Sequence, residues 1–314
     1  MHLVSYSESG KVKVGVHTEA GIIDLKRGYE KYIGQDLGDM FSDMRSLLSA
    51  GSLGLELSGS VVENVLAEEK QSRHDSLGGC VLKPGSYKLL APVTRPDKIL
   101  CPAVNYLGHG QEQNVTPPAT PYFFGKFVNS LIGQDATVLI PSVAKMPDYE
   151  VELAGVIGKR GKHIPKAEVY DYIVGYTILN DISLRDLQGW PKPSDPAYGP
   201  HWLMGKAADT SCPLGPWIVT RDEVPNPYPL KIRLSVNGKV KQDSDTSQQI
   251  FKIPDLVSYV SQIMTLEPGD IISTGTPSGV GRTTGVYLKD GDRMEAEIEK
   301  IGVLRNCVRF ETLR

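Results

Sequence analysis

The sequence predicts an α+β fold that is mostly β. Strand-sized runs of alternating apolar and polar residues recur along the chain, and Gly and Pro residues separate them. Helix-like spacing is confined to a few stretches, chiefly residues 38–70 and 253–267. Prolines at both ends of segment 92–96 disfavour continuous regular structure. We therefore predict a small α+β unit over residues 1–92 and a mostly β unit over residues 93–314.

The first unit opens with three short alternating runs, LVSYSES, GKVKVGVHT and GIIDL. Gly and Ser residues break these runs, which predicts an antiparallel meander. In residues 38–70, apolar positions such as Met40, Met44 and Leu47 recur every three or four residues, as in an amphipathic helix. A polar stretch with two glycines follows and predicts a loop. Nothing in this unit is typical of a catalytic site.

The second unit holds most of the predicted strands. KILCPAV, YFFGKFVNSLIG and ATVLIP precede residue 148, and LGPWIVT, PLKIRLSVNGKVKQ, GDIISTGT, RMEAEIEKIG and LRNCVRFE follow residue 213. Asn237-Gly238 between alternating residues is a strong signal for a tight hairpin turn. Pro254 near the start and Pro268 at the end delimit one predicted helix. Strands in this number would close into sheets or a barrel.

The composition is that of an ordinary globular protein, with 314 residues, 40% of them hydrophobic, 23% charged and a net charge of −3. This balance predicts no nucleic-acid partner, and the apolar runs are far shorter than the roughly 20 residues of a membrane-spanning helix. The N-terminus lacks a secretory pattern, which predicts a cytoplasmic protein. The scattered cysteines form no CxxC pair and are expected to be reduced and inert: Cys80, Cys101, Cys212 and Cys307.

The segment 148–181 contains the most informative pattern in the chain. In its opening residues, DYEVELAGVIG, Glu150 and Glu152 share one parity while apolar residues occupy the other. Successive side chains of a strand point to opposite faces, so both carboxylates project side by side. Two carboxylates held that close repel each other unless a proton or a cation lies between them.

A third carboxylate, Asp181, follows the strand-like run YIVGYTILN. Three oxygen ligands without a neighbouring His or Cys are typical of Mg²⁺ or Mn²⁺ rather than zinc. By itself, a Glu-x-Glu pair on a strand is more often a solvated sheet face. Arg185 and Gln188 follow Asp181 at i+4 and i+7, however, and would share its face on a helix. Together these groups predict a cradle for an anionic, oxygen-rich ligand.

The segment NYLGHGQEQN places His109 and Glu112 at positions i and i+3. On a short helix the two side chains would lie within hydrogen-bonding reach, and a carboxylate paired to an imidazole suits it to take a proton from water. Glycines and the pair Pro117-Pro118 bracket the segment, as expected of a lid. The spacing also leaves open an exposed helical turn with an incidental pair.

Two further stretches supply candidate site residues. TGTPSGVG, residues 274–281, matches neither the Walker pattern nor GxGxxG, and it predicts a tight loop in which Thr276 and backbone N–H groups face a carboxylate. Lys206 has apolar neighbours, which favours a place in a pocket over the usual exposed one. The sequence contains no GxSxG, HExxH or paired Cys/His cluster, so a serine or zinc hydrolase is not expected.

In combination and in order, these stretches resemble the fumarylacetoacetate hydrolase superfamily, in particular its acylpyruvase and 2-hydroxyhepta-2,4-diene-1,7-dioate isomerase-like branch. The resemblance covers roughly residues 95–312 and rests on NYxxHxxE, DYEVELAGVIGK, GYTILNDISLRDLQ, GKAADTSCPLGP and MTLEPGDIISTGTPSGVG. It implies a mixed β-sandwich roll as the catalytic domain, preceded by a small α+β N-terminal domain. It also implies a homodimer as the usual assembly.

The resemblance further implies a role for each candidate residue, with Mg²⁺ or Mn²⁺ as the cofactor. It assigns metal binding to Glu150, Glu152 and Asp181, catalysis to His109, Glu112 and Lys206, and substrate binding to Arg185, Gln188, Thr276 and Lys126.

The reaction that the resemblance implies is hydrolysis of a carbon–carbon bond in a 1,3-diketo acid such as an acylpyruvate. The metal would chelate the 2-keto carboxylate, and His109 paired with Glu112 would activate a water. Alternatives at the same site are decarboxylation of oxaloacetate or another 2-keto acid, and isomerisation or hydration of an unsaturated 2-keto acid. A keto-acid-binding protein without activity is a further alternative, which an intact dyad and an intact triad argue against.

Two segments leave the substrate open. CPAV, residues 101–104, stands where relatives commonly carry Gly and a basic or apolar residue before NY. Residues 189–205 are rich in proline and aromatic residues and resemble a variable specificity region. Four of its side chains are candidates for lining the distal end of the substrate, with simple loop packing as the alternative: Trp190, Tyr198, His201 and Trp202.

Overall fold

The computed structural model describes residues 1–34, 38–71, 79–189 and 199–312. Within these ranges the chain forms a large sheet of twelve strands, a second sheet of five strands and a two-stranded ribbon. Helices are short apart from one in the first unit. This arrangement confirms the prediction of an α+β fold that is mostly β.

The described strands are numbered in chain order. They are β1 (His2–Glu8), β2 (Lys11–Thr18), β3 (Gly21–Asp24), β4 (Val81–Leu82), β5 (Lys88–Leu89), β6 (Ile99–Pro102), β7 (Phe123–Lys126), β8 (Leu131–Ile132), β9 (Thr137–Ile140), β10 (Pro147–Asp148), β11 (Val151–Ile157), β12 (Ile173–Asn180), β13 (Ser183–Leu184), β14 (Cys212–Thr220), β15 (Lys231–Val236), β16 (Lys239–Asp245), β17 (Ile271–Ser273), β18 (Arg293–Ile298) and β19 (Gly302–Phe310).

The described α-helices are numbered likewise. They are α1 (Leu25–Tyr32), α2 (Met44–Ser49), α3 (Ser52–Gln71), α4 (Leu107–Glu112), α5 (Arg185–Gln188), α6 (Trp202–Lys206), α7 (Ile253–Ser261) and α8 (Gly281–Thr284). Short 3₁₀-helices span Val128–Ser130, Lys166–Tyr172 and Thr246–Gln248.

The large sheet joins the two predicted units. Its main path runs β4-β3-β2-β1-β14-β12-β11-β17-β6-β7. The predicted meander is present, since β1, β2 and β3 pair antiparallel. Strand β1 then pairs with β14, with His2 opposite Val219, so the N-terminal strands extend the sheet that carries the central strands. The boundary at residues 92 and 93 stays a prediction.

The five-stranded sheet has the order β16-β15-β18-β19-β9 and packs against the central strands of the large sheet. Asn237 and Gly238 both have positive φ, 51° and 73°, which is the backbone of the tight hairpin turn predicted between β15 and β16. Leu153 of β11, Ile178 of β12 and Leu234 of β15 are fully buried in the core between the two sheets.

The opposite face of β11 packs against the first unit. Ala154 and Val156 belong to a second core with Met44 and Leu47 of α2. Side chains of β11 therefore alternate between two cores, and Glu150 and Glu152 have the parity of the second one. Both faces of the central strands are buried along most of their length.

Two helical predictions differ from the structure, and one helix was not predicted. Helix α1 was not predicted, because among its residues only Leu25 and Gly28 are buried and the apolar periodicity is weak. The helix predicted over residues 38–70 is divided into α2 and α3 at Gly51, whose φ is +62°. Helix α7 ends at Ser261, before Pro268.

Candidate active site and metal centre

Three carboxylates converge where β11 begins and β12 ends. The antiparallel register places Val151 opposite Asn180, so the residues just outside the pair, Glu150 and Asp181, become neighbours. The Asp181 N–H donates to the Glu150 carbonyl oxygen at 2.8 Å. One carboxylate oxygen from each of Glu150, Glu152 and Asp181 lies within 4.8 Å of the others. All three residues are buried, so the alternative of a solvated sheet face is wrong.

Buried cations contact this triad from two sides. Lys206 Nζ lies 2.8 Å from Glu150 Oε2 and 2.5 Å from Asp181 Oδ2. Lys126 Nζ lies 2.7 Å from the other oxygen of Asp181, Oδ1, and also donates to the Lys206 carbonyl oxygen at 2.6 Å. Arg185 donates to Glu150 Oε1. Each of these contacts holds a carboxylate oxygen in place.

Carboxylates and cations lie close together in this centre. Four buried carboxylates, the triad and Asp148, face the buried cations Arg185, Lys206 and Lys126, and the partly buried Arg282 also lines the cavity. Burial raises the pKa of Glu152 well above its usual value, and repulsion by Asp181 and Glu150 adds to the effect. Burial acts in the same direction on Glu150, but Arg185 and Lys206 outweigh it and lower the pKa of that carboxyl.

This donor set fits a hard divalent cation. Its donors are carboxylate oxygens, and no thiolate or imidazole shares the triad. Mg²⁺ and Mn²⁺ prefer such oxygen ligands. A bound cation would also relieve the repulsion by Asp181 and Glu150 that adds to the effect of burial on the pKa of Glu152. Glu150, Glu152 and Asp181 are therefore the residues that would hold it.

Asp148 is a site residue that the sequence analysis did not assign. Its Oδ2 accepts from Arg185 Nε at 2.8 Å, while its Oδ1 accepts from the Gly281 N–H at 2.6 Å. Asp148 thus fixes Arg185 in the orientation that reaches Glu150. The spacing of Asp148 and Glu150 at i and i+2 was available as a signal, but its partner Gly281 lies 133 residues away in the chain.

Loop 274–281 donates its backbone N–H groups to carboxylates of the protein itself. Gly275 N donates to Glu152 Oε2 at 3.0 Å, and Gly279 N donates to Glu112 Oε2 at 2.9 Å. The Thr276 hydroxyl donates to the Val151 carbonyl at 2.9 Å. The loop therefore links the start of β11 to helix α4, which carries the His109–Glu112 pair, a connection that the sequence did not reveal.

Helix α4 brings the predicted dyad together. His109 Nδ1 and Glu112 Oε1 are 2.9 Å apart, as the i and i+3 spacing predicts. His109 is 6% exposed, which argues against an incidental pair on an exposed turn. Gln113, the residue after the helix, places its Nε2 atom 2.6 Å from His109 Nε2 and 3.2 Å from His109 Nδ1. An amide nitrogen this close to both ring nitrogens lies over the face of the imidazole.

A cavity of about 50 Å³ lies between the triad and the dyad. Its lining includes most of the predicted site residues and several that were not predicted: Pro102, Ala103, Val104, His109, Gln113, Phe124, Glu150, Glu152, Arg185, Gln188, Trp202, Lys206, Thr276 and Arg282. Asp181 and Lys126 lie behind this lining, in contact with Lys206. Lys126 is thus placed to hold Asp181, and its predicted contact with substrate stays a prediction.

Arg185 and Gln188 reach the site by a route that differs from the predicted one. Helix α5 begins at Arg185, so Asp181 lies before it and the three residues do not share a helix face. Strand β13, which pairs with β10, lies between Asp181 and α5, and Arg185 at the start of α5 contacts Asp148 and Glu150. Arg185 and Gln188 are both buried in the cavity wall.

Of the four aromatic candidates in residues 189–205, Trp202 lines the cavity and stacks on Phe124 with ring centroids 4.7 Å apart. Phe124 in turn lies under the Lys206 ammonium, 5.0 Å from it. His201 is exposed. Trp190 and Tyr198 lie outside the described residues.

The cysteines lie away from the cavity lining and form no disulfide. Cys101 and Cys212 are fully buried, and Cys307 is partly buried. Burial raises the pKa of Cys101 and raises that of Cys212 to about 12, which keeps both thiols protonated at neutral pH. This agrees with the prediction of reduced, inert thiols.

Comparisons with known proteins identify the family of this chain. The family model described as fumarylacetoacetate (FAA) hydrolase C-terminal matches residues 98–309. Oxaloacetate tautomerase Fahd2a, mitochondrial, of Rattus norvegicus is 49% identical over 221 residues, which are 70% of this chain and 68% of that protein. Oxaloacetate tautomerase fahd2, mitochondrial, of Xenopus laevis is 38% identical over 98% of this chain and 90% of its own length.

Among solved structures, maleylpyruvate hydrolase from Sphingobium sp. SYK-6 in complex with manganese (II) ion and pyruvate is similar, with a TM-score of 0.73 and 28% identity. The match covers 99% of this chain and 100% of that one.

No helix among the described residues is both long and apolar enough to cross a membrane.

Proposed function

Since the chain belongs to the fumarylacetoacetate hydrolase family, we propose that it catalyses the keto–enol tautomerisation of a short 2-keto acid of the oxaloacetate type. The observation that carries the proposal is the small cavity in which one imidazole, His109, faces a carboxylate triad suited to a divalent cation. Tautomerisation moves one proton between the substrate carbon and a base and one proton between the keto oxygen and solvent, so it needs no second reactant in this small cavity.

In this proposal, Arg185 and Lys206 bind the substrate and His109 transfers the proton. A bound Mg²⁺ or Mn²⁺ would act as a Lewis acid on the keto oxygen. Arg185 and Lys206 face the same cavity and favour an anionic substrate, because charge-assisted hydrogen bonds are about twice as strong as neutral ones. His109, held by Glu112, takes the proton from the carbon next to the keto group, and Lys206 stabilises the negative charge that develops.

The proposed reaction differs from the one that the family resemblance implied, which is hydrolysis of a carbon–carbon bond. Carbon–carbon hydrolysis of a 1,3-diketo acid has less support than the isomerase alternative, because the relatives from Rattus norvegicus and Xenopus laevis, 49% and 38% identical, are named oxaloacetate tautomerases. Hydrolysis stays the second candidate, favoured by the intact dyad with its 2.9 Å contact. Decarboxylation of oxaloacetate would use the same cation and the same cradle, and it is a third outcome to measure.

Several expectations remain proposals at this point. The preferred cation is Mg²⁺ or Mn²⁺, the partner is a small keto acid, and the assembly is a homodimer without nucleic-acid or membrane partners. The cytoplasmic location is likewise a prediction. The names of both relatives cited above carry the word mitochondrial, which indicates a different compartment for those proteins.

The test is the rate at which the enol absorbance of oxaloacetate decays in the presence of protein and Mg²⁺ or Mn²⁺. The rate with the same metal and no protein is subtracted, and pyruvate is measured to detect decarboxylation. Acetylpyruvate, whose cleavage reports hydrolysis, is assayed in parallel. We expect the enol decay to be accelerated, and to lose this acceleration when a chelator removes the metal.

A matched pair of histidine variants separates the site from the rest of the molecule. His109→Ala removes the base in the cavity, whereas His163→Ala changes an exposed histidine outside the cavity lining. General acid–base catalysis is worth roughly 10²–10⁴-fold, so we expect a loss of that order for His109→Ala alone. Wild-type protein that cleaves acetylpyruvate yet leaves the enol decay unchanged would move the assignment to hydrolase.

A further inference from the structure

We propose that Arg282 makes the site selective for 2-keto acids that carry a second carboxylate, because it places a further guanidinium in the wall of the cavity. The inference rests on the proposed function and deepens it, since it names 2-keto dicarboxylates as the substrate class. Arg282 is the second residue of α8, is partly buried and lines the cavity together with His109. The sequence analysis assigned it no role.

The backbone of Arg282 is fixed by the same carboxylate that orients Arg185. Asp148 Oδ2 accepts from the Arg282 N–H at 2.9 Å and from Arg185 Nε at 2.8 Å. Asp148 Oδ1 accepts from the Gly281 N–H at 2.6 Å. A β-carbon at Gly281 would lie 2.7 Å from Asp148 Oδ1, so only glycine allows this close approach. The start of α8 therefore holds both arginines in one wall of the cavity.

The two cations next to the triad already contact carboxylates of the protein. Arg185 contacts Asp148 and Glu150, and Lys206 contacts Glu150 and Asp181. These two cations lie beside the proposed cation site, where they can attract the carboxylate of a chelating keto acid. A second carboxylate on the same substrate needs a further cation in the cavity wall.

The surroundings of Arg282 favour a bound anion. Burial lowers the pKa of Arg282, and repulsion by the Arg185 guanidinium adds to the effect, while Glu150 and Asp148 oppose it. Arginine does not lose its proton in proteins, so the positive charge is kept at an energetic cost that an anion in the cavity would reduce. A carboxylate suits this role, because a guanidinium donates two parallel N–H groups to its two oxygens.

The structure of oxaloacetate matches this placement. Its second carboxylate is bonded to the carbon that His109 would deprotonate. His109 and Arg282 line the same small cavity, so a substrate that presents this carbon to His109 brings its second carboxylate into the space that Arg282 borders. A 2-keto acid with a methyl group in that position would lose the contact. The selectivity concerns the substrate and not the bond that is broken, so it applies to hydrolysis as well.

The test measures the binding of two unreactive ligands that differ at this position. Malate and 2-hydroxybutyrate share a 2-hydroxy carboxylate, and 2-hydroxybutyrate has a methyl group where malate has its second carboxylate. Titration calorimetry of the protein saturated with Mn²⁺ gives the ratio of the two dissociation constants. We expect wild-type protein to prefer malate, and Arg282→Met to reduce this preference about 10- to 100-fold, the effect of one charge-assisted hydrogen bond.

Two further arginine variants serve as controls. Arg160→Met should keep the wild-type preference, since Arg160 is 72% exposed and lies outside the cavity lining. Arg282→Lys retains the charge but not the two parallel donors, so its preference should lie between those of wild type and Arg282→Met. Should Arg282→Met not fold, the reduced preference of Arg282→Lys replaces it in the test. Equal affinity of wild type for both ligands, or an unchanged preference in the variant measured, would overturn the proposal.

The outcome for Arg282 is separate from the outcome for the proposed function, because calorimetry requires no turnover. A malate preference that depends on Arg282, without acceleration of the oxaloacetate enol decay, would refute tautomerisation and support the role of Arg282. Acceleration of the enol decay in a protein without a malate preference would support tautomerisation and refute the role of Arg282.

Discussion

The cavity has two walls that are built differently. The strand wall consists of Glu150 and Glu152 with Asp181 behind them, and the helix wall consists of α4 with His109 and Glu112. On the strand wall, Glu152 and Asp181 are at most 2% exposed, and protein groups already hydrogen-bond their carboxylates. On the helix wall, α4 has six residues, its N-cap Tyr106 makes no side-chain cap, and Leu107 is 48% exposed. The strand wall is fixed by burial and charge, whereas the helix wall depends on a few contacts at its base.

Asn105, which precedes α4, makes several of those contacts, and the Gly279 N–H bond to Glu112 holds the other end of the helix. The Asn105 amide donates to the carbonyl oxygens of Phe251 and Thr274, each at 2.8 Å, and its own oxygen accepts from the Phe251 N–H. Beyond the helix, residues 114–117 are exposed. The proposed binding groups are therefore held by the protein itself, whereas the proposed base, His109, lies on a short segment with exposed residues beyond it, as expected of a lid.

The largest effect is expected on the strand wall, from Asp181→Asn. The change removes the charge that Lys126 and Lys206 share in a fully buried site. Breaking a buried ion pair costs about 3–5 kcal/mol, and the triad loses one metal ligand. We expect the free energy of unfolding to fall by that order in denaturant melts, and Mn²⁺ binding to be lost in titration calorimetry.

Asp243→Asn is the matched control for this prediction. Asp243 pairs with Arg233 at 3.4 Å, and both side chains are about half exposed. Exposed pairs contribute about 0–1 kcal/mol, so stability and Mn²⁺ affinity should stay close to those of wild type. Wild-type Mn²⁺ affinity in Asp181→Asn would show that the carboxylate triad is not the metal site.

On the helix wall, Glu112→Gln should separate activity from metal binding. The variant keeps the shape of the side chain but removes the charge that orients His109. We expect kcat to fall about 10²-fold, while Mn²⁺ affinity and melting temperature stay near the wild-type values. The exposed helical Glu63→Gln serves as the control for loss of one carboxylate. Joint loss of metal affinity would mean that the two walls are one unit.

A smaller effect is expected where the two walls meet, at Gln242. Its buried amide accepts from the Val151 N–H at 3.0 Å and donates to Thr276 Oγ1 and the Pro277 carbonyl oxygen. Gln242→Leu would leave buried groups unsatisfied, at about 1–3 kcal/mol. We expect the melting temperature to fall by a corresponding amount and kcat to fall about tenfold. In the control variant Gln248→Leu, at an exposed residue, both quantities should stay at their wild-type values. A Gln242→Leu variant with wild-type stability and kcat would show that Gln242 does not connect the two walls.

The local part of the site was predictable from the sequence. Alternation indicated that Glu150 and Glu152 share a face, and the i and i+3 spacing paired His109 with Glu112, because both patterns depend only on the geometry of one element. The β-rich fold was predictable for the same reason. The grouping of Asp181 with the two glutamates was an inference from chemistry, and the register between β11 and β12 supplies its geometry.

The supporting contacts were not predictable, because their partners are distant in the chain. Gln242 is 91 residues from Val151, and Gly279 is 167 residues from Glu112. Nothing in a polar residue on a strand or in a glycine loop specifies such a partner before the sheets are assembled. The position of Gln113 over His109 is local, but it depends on how the chain leaves α4, which helical spacing does not describe.

The smallest effect is expected at the base of the helix wall, from Val104→Gly. Val104 has a φ of +52°, a conformation that is strained for a β-branched residue by about 1–3 kcal/mol. Glycine relieves this strain but adds entropy to the unfolded chain, so the two terms nearly cancel.

At Val143, which is exposed and has no such φ, glycine should only destabilise. Denaturant melts should therefore show Val104→Gly to be the less destabilising of the two. Because Val104 also lines the cavity, its variant alone should change KM, by a few fold. The opposite order of stability would show that packing of the Val104 side chain, rather than backbone strain, determines the stability of the segment before α4.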